Sequence, residues 1–79
     1  MEYTVKAFGI TKDILGGREA VVRADRATVA SLRQALLRDY PQLAGLKSLL
    51  IAVNNVYADD GVELAERDEI ALIPPVSGG

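Results

Sequence analysis

Large apolar residues recur at helical spacing over one stretch of this chain: Val29, Leu32, Leu36 and Tyr40, with Arg33, Gln34 and Arg38 pointing elsewhere. Thr28 offers a side-chain oxygen to cap the start of that helix. Pro41 ends it, because the residue before a proline avoids the α region. The spacing predicts one main helix, Val29 to Tyr40, with a single apolar stripe. A chain of 79 residues holds only one core, so the stripe has to be covered by what the remaining segments form.

Those segments read as strands. Tyr3, Val5 and Ala7 alternate with Thr4, Lys6 and Phe8, a first strand with one buried face. Gly9 and the turn-rich stretch Lys12 to Arg18 follow, where Gly16-Gly17 can supply positive φ. Glu19 to Arg23 is a second strand that completes a hairpin with the first. After the helix, Leu49 to Val53 is an apolar run of strand length, Asn54-Asn55 is turn chemistry, and Val56-Tyr57 is a short returning strand. Asp59-Asp60-Gly61 makes a further turn, Leu64 anchors a loop, and Glu69 to Ile73 is the last strand, with Ile70 and Leu72 on one face. The order β-β-α-β-β-β predicts an α+β fold, a β-grasp (ubiquitin-like) roll. In such a roll the helix crosses one face of a mixed sheet, and the first and last strands lie parallel in its centre. The domain is expected over residues 1–74, with residues 75–79 forming an extended tail.

Composition narrows the function. Nine basic and eleven acidic residues are mixed along the chain for a net charge of −2, without the basic stripe that a phosphate backbone requires, so nucleic acid is not an expected partner. There is no run of about 18 apolar residues, no polybasic segment and no secretory leader, so no membrane association is expected and a cytoplasmic location is the default. The chain has no cysteine and no histidine, which removes disulfides, thiolate nucleophiles, the usual zinc ligands and the commonest general base. It is therefore not expected to be an enzyme by itself. Gly16-Gly17 is followed by no Gly-Lys-Ser/Thr and reads as a turn rather than a phosphate loop. Asp59-Asp60 and Asp68-Glu69 read as solvated turn carboxylates rather than a metal site, although Asp68-Glu69 could meet a basic partner surface. Arg33 and Arg38 read as a solvated helix face.

Two features do point to chemistry. The last strand stops at Pro74-Pro75, and the chain then runs through Val76 and Ser77 to Gly78-Gly79. Proline lacks an N–H and fixes φ, so the pair closes off the sheet and stiffens the exit. Glycine has no Cβ, so Gly78-Gly79 can thread a slot too narrow for other residues and present an α-carboxylate at its tip. Gly79 is expected to be the mature terminus and the functional group. The second feature is broken alternation. Phe8 is in phase with Thr4 and Lys6, Ile73 with Glu69 and Ala71, and Tyr57 sits beside Val56, which more naturally faces the helix. Phe8, Tyr57 and Ile73 are thus expected on the open side of the sheet near the root of the tail, as an apolar protein-binding patch.

The segment Val53-Asn54-Asn55-Val56-Tyr57-Ala58-Asp59-Asp60 and the closing run from Asp68 through Ile73-Pro74-Pro75-Val76-Ser77-Gly78-Gly79 resemble the small subunits of molybdopterin synthase. Double-glycine ends also occur in related carriers of thiamine synthesis and tRNA thiolation, and the Pro-Pro-Val-Ser lead-in favours the molybdenum cofactor member. The resemblance implies a sulfur carrier. An ATP-consuming adenylyltransferase related to ubiquitin E1 would activate the Gly79 carboxylate, and sulfur delivered through a cysteine desulfurase or sulfurtransferase would replace AMP as a thiocarboxylate. The large synthase subunit, in a heterotetramer of two small and two large chains, would then pass the sulfur to cyclic pyranopterin monophosphate. It implies no permanently bound cofactor, and apolar positions matching Phe8, Tyr57 and Ile73 would pack on the partner. Lys6-Ala7 depart from the more apolar residues expected ahead of Phe8. A carrier for thiamine or tRNA thiolation, a ubiquitin-like modifier joined to lysines, and a binding module with an inert tail stay open as alternatives.

Overall fold

Glu2–Ala7 (β1) buries every second side chain, Tyr3, Val5 and Ala7, and exposes Glu2, Thr4 and Lys6. It pairs antiparallel with Glu19–Arg23 (β2), Tyr3 opposite Val22, and on its other side parallel with Ile70–Ile73 (β5), Val5 opposite Ile70. In turn β5 pairs antiparallel with Leu50–Val53 (β3), which pairs with Val56–Tyr57 (β4). A computed structural model describes residues 1–46 and 49–74 of the chain. Within them the sheet order is β2-β1-β5-β3-β4, so the first and last strands run parallel in the middle, as the element order predicts. This is a β-grasp roll.

Val29–Asp39 (α2) lies across one face of the sheet. Its stripe of Val29, Leu32, Ala35 and Leu36 is buried against Val5, Val22, Ile51, Ile70 and Leu72. Burying each of the larger aliphatic side chains stabilises the fold by roughly 1.5–3 kcal/mol. The helix start is closed from two directions. Thr28 Oγ1 accepts from Ser31 N at 3.2 Å, the N-cap bond expected from the sequence. The loop after β4 covers the neighbouring donors: Val29 N donates to Val62 O and Ala30 N to Asp60 O, each at 3.0 Å. Leu64, buried, pins that loop, its N–H donating to Ala27 O at 2.8 Å.

Four local readings change. The Lys12 to Arg18 stretch is not simply a turn. Ile10–Leu15 forms a short helix (α1) that buries Thr11 and Leu15, and Gly16 ends it in the left-handed region at φ 81°, with Gly16 N donating to Lys12 O. Pro41 does more than stop α2, because Pro41–Gly45 continues as a 3-10 helix that buries Leu43. Val56 does not face the helix but is exposed. Finally, Arg33 and Arg38 are not a free solvated face. Arg33 donates to Leu49 O at 2.6 Å and pairs with Asp60, and Arg38, still exposed, donates to Arg23 O at 3.0 Å, so they tie the helix to the loops beside it and to the end of β2.

Candidate docking face and the root of the tail

The face of the sheet away from α2 carries no covering element among the described residues. Strand register sets its pattern. Lys6 of β1 is opposite Ala71 of β5, Ala71 opposite Ala52 of β3, and Ala52 opposite Tyr57 of β4. One row thus runs from a lysine over two alanines to a tyrosine. The alanines form the floor of a groove of about 330 Å³, walled by Phe8, Tyr57, Ile73 and the Lys6–Glu69 pair. The three residues singled out by phase, Phe8, Tyr57 and Ile73, therefore come together around one depression. Phe8 is 48% and Tyr57 66% exposed, and Ile73 is partly covered. Large apolar side chains left in water around a concave floor are the physical signature of a protein-docking surface.

Leu50, which the alternation does not mark, belongs to the same surface. It is opposite Ile73 across β3 and β5 and is 45% exposed. Its phase is hidden in the continuous apolar run Leu49 to Val53, in which alternation cannot be read.

Local chemistry fixes these side chains. A two-residue turn joins β3 to β4, with Asn54 and Asn55 both at positive φ, 52° and 69°, which matches the twist of a tight hairpin and sends Tyr57 back over Ala52. Asn54 also ties the hairpin to the approach of β5. Its Oδ1 accepts from Glu69 N at 2.9 Å, and its Nδ2 donates to Asp68 Oδ1 at 3.1 Å. Asp68 further accepts from Ala65 N at 2.8 Å. The Ala65 N–H, and after it the Asn54 amide, hold the Asp68 carboxyl below the usual carboxylate range. Asp68 is thus committed to the fold rather than offered to a basic partner. Glu69 pairs with Lys6, and the hydrogen bond and charge of Glu69 raise the Lys6 ammonium above its ordinary value. The polar Lys6 at the centre of the face is therefore matched within the chain. Among the described residues no group of three or more acidic side chains is gathered as a metal would require.

At the edge of the groove the chain folds sharply. Phe8 N donates to Thr11 Oγ1 at 2.8 Å, Thr11 N and its hydroxyl return bonds to Phe8 O, and Thr11 is fully buried. Between them Gly9 sits at φ 56°, ψ −133°, where a side chain is strained, and a Cβ there would press on Pro74. Gly9 and Pro74, the last described residue before the tail, are thus held side by side. Pro75, Val76, Ser77, Gly78 and Gly79 lie outside the described residues. Among the described residues no helix is long and apolar enough to cross a membrane.

The family model described as the ThiS family matches residues 5–79. The chain belongs to the ThiS family. A "Molybdopterin synthase sulfur carrier subunit" of Caenorhabditis briggsae is 40% identical over 76 residues, covering 91% of this chain and 90% of that protein. The crystal structure of SAMP1 from Haloferax volcanii superposes with a TM-score of 0.82 at 30% identity, over 100% of both chains. A chain from the complex of subunits 1 and 2 of the molybdopterin-converting factor of Helicobacter pylori matches with a TM-score of 0.69 at 28% identity, again over 100% of both. The resemblance carried by the closing residues thus extends over the ThiS-family chain as a whole, and the β-grasp fold is common to these neighbours.

Proposed function

We propose that this ThiS-family chain is the sulfur carrier subunit of molybdopterin synthase, loaded as a thiocarboxylate at Gly79. The observation that carries the reading is the meeting of Phe8, Tyr57 and Ile73 around one groove on the uncovered sheet face, beside the strand that leads into Pro75, Val76, Ser77 and Gly78. A docking face next to the root of a slender tail suits a chain that lends its terminus to another protein's active site.

The chemistry follows from the inventory. A terminal carboxylate, with pKa about 3.5, is anionic at neutral pH and a poor acyl donor, because it lacks a leaving group. Attack of that carboxylate on the α-phosphate of ATP in an E1-like adenylyltransferase releases pyrophosphate and leaves an acyl adenylate. The outer sulfur of a persulfide on a sulfurtransferase or cysteine desulfurase then displaces AMP to give an acyl disulfide, and a thiol reductant cleaves its S–S bond to leave the thiocarboxylate. A chain without cysteine has no thiol on which to hold sulfur, which leaves the terminus as its carrier. The large synthase subunit, two copies with two of this chain, would take the tail and transfer the sulfur to cyclic pyranopterin monophosphate. In this scheme the chain catalyses nothing alone and keeps no cofactor.

Intact mass after incubation with the adenylyltransferase, ATP and a sulfur donor is expected to rise by about 16 Da, one oxygen exchanged for sulfur. An unchanged mass with partners active on their own carrier overturns the proposal. Rescue of molybdoenzyme activity in a strain lacking its small subunit separates this role from thiamine or tRNA thiolation. The likeness to SAMP1, the small archaeal modifier protein 1 of Haloferax volcanii, supports a second use of the activated carboxylate, as a ubiquitin-like modifier. Lysine-linked adducts of the chain in cell extract would establish that use.

A further inference from the structure

Phe8 and Lys6 wall a second groove, of about 510 Å³, on the other side of Phe8 from the apolar patch. Its remaining lining is Ala7, Lys12, Arg18 and Glu19, which makes three cations to one anion in a chain whose net charge is −2. The charges are not equivalent. Lys6 pairs with Glu69 and also feels Glu19, its opposite number across β1 and β2. Arg23, Arg33 and Arg38 likewise have acidic partners. Lys12 and Arg18 are in no ion pair among the described residues, and both are exposed, Lys12 within α1 and Arg18 in the turn that follows it. The short helix missing from the sequence reading is what brings them together: it carries Lys12 on its outer side, and Gly16 then reverses the chain so that Arg18 reaches the same groove.

We infer that Lys12 and Arg18 form a cationic rim to the Phe8 docking face and take an acidic segment of the partner subunit that receives the tail. The inference rests on the reading of this chain as a carrier that docks through Phe8. Two cations without an ion pair among the described residues, beside an apolar anchor, match the usual division of a docking surface, in which a desolvated centre supplies affinity and a charged rim supplies steering and register. The occupant is an acidic protein segment rather than a nucleic acid, because the positive surface is one short patch on an acidic chain rather than a stripe along it.

The test is association with the large synthase subunit of the same organism, with rates measured at about 0.05 M and about 1 M salt, where screening lengths differ severalfold. The double variant Lys12→Glu/Arg18→Glu is expected to bind on the order of tenfold more weakly at low salt, mainly through a slower on-rate, and to approach wild type at high salt. Neutral Lys12→Gln/Arg18→Gln should fall between them. Arg26→Glu/Arg67→Glu, which changes net charge equally away from the groove, should lose much less. Equal loss in that control, or wild-type association of the double variant while Phe8→Arg still weakens binding, overturns the rim and leaves the carrier reading standing. Failure of the wild-type chain both to bind the large subunit and to gain sulfur overturns the carrier reading, and the rim with it.

Discussion

A Cβ placed on Gly9 would sit 3.3 Å from Cγ of Pro74, closer than nine in ten such contacts. The loop after the first strand is thus shaped around the end of the last one. Two penalties meet in Gly9→Ala, a backbone at φ 56° that a side chain resists and a proline that must give way. The variant should be destabilised by about 1–3 kcal/mol. A lower urea midpoint with an unchanged slope is the expected result.

Phe8→Arg and Leu50→Arg should weaken partner association without unfolding the domain, because both side chains stand on the uncovered face. Each loss should be on the order of 1.5–3 kcal/mol, with the cost of burying a charge added. Calorimetric titration with the partner, alongside circular dichroism of the free variants, checks both halves of the expectation.

Thr11→Val keeps the volume but removes a hydroxyl that accepts from Phe8 N and donates to Phe8 O. The orphaned Phe8 donor, part-buried just after β1, should cost about 1 kcal/mol in thermal or denaturant unfolding. Thr11→Ser should recover most of that loss, since it restores the bonds.

The carboxyl of Asp68 titrates below its ordinary range in the fold, because ionised oxygens accept from Ala65 N and Asn54 Nδ2. A depressed folded-state pKa stabilises the fold above the ordinary carboxylate value and loses that contribution as the pH falls through the depressed one. Asp68→Asn should therefore lower stability at neutral pH and flatten the decline below about pH 4. Unfolding curves from pH 2 to pH 7 on both proteins measure the difference.

Much of this was written in the sequence where one periodicity ran long enough to be read. Thr28 caps α2 as expected, and the phases of β1 and β5 put Phe8 and Ile73 on the open face. The misses are local. Ile10–Leu15 is under two turns, so its only helical signal is Thr11 and Leu15, four apart, and the following glycines outweighed it. Leu50 was hidden because a continuous apolar run has no phase. The anchoring of Arg33 and Arg38 depends on carbonyls far away in sequence, Leu49 O and Arg23 O, which no local pattern announces. The cationic rim needed the missing helix, so it could not be seen without the fold.

The parallel pairing of the first and last strands has a consequence for biogenesis. Ile70–Ile73, the slat at the middle of the sheet, is the last of its strands to leave the ribosome, and until it does β1 and β3 have no neighbour to join them. Such distant pairings close late and slowly. A nascent chain would therefore emerge with its hydrophobic interior open, and only the arrival of the segment bearing the glycine-ended arm would seal it.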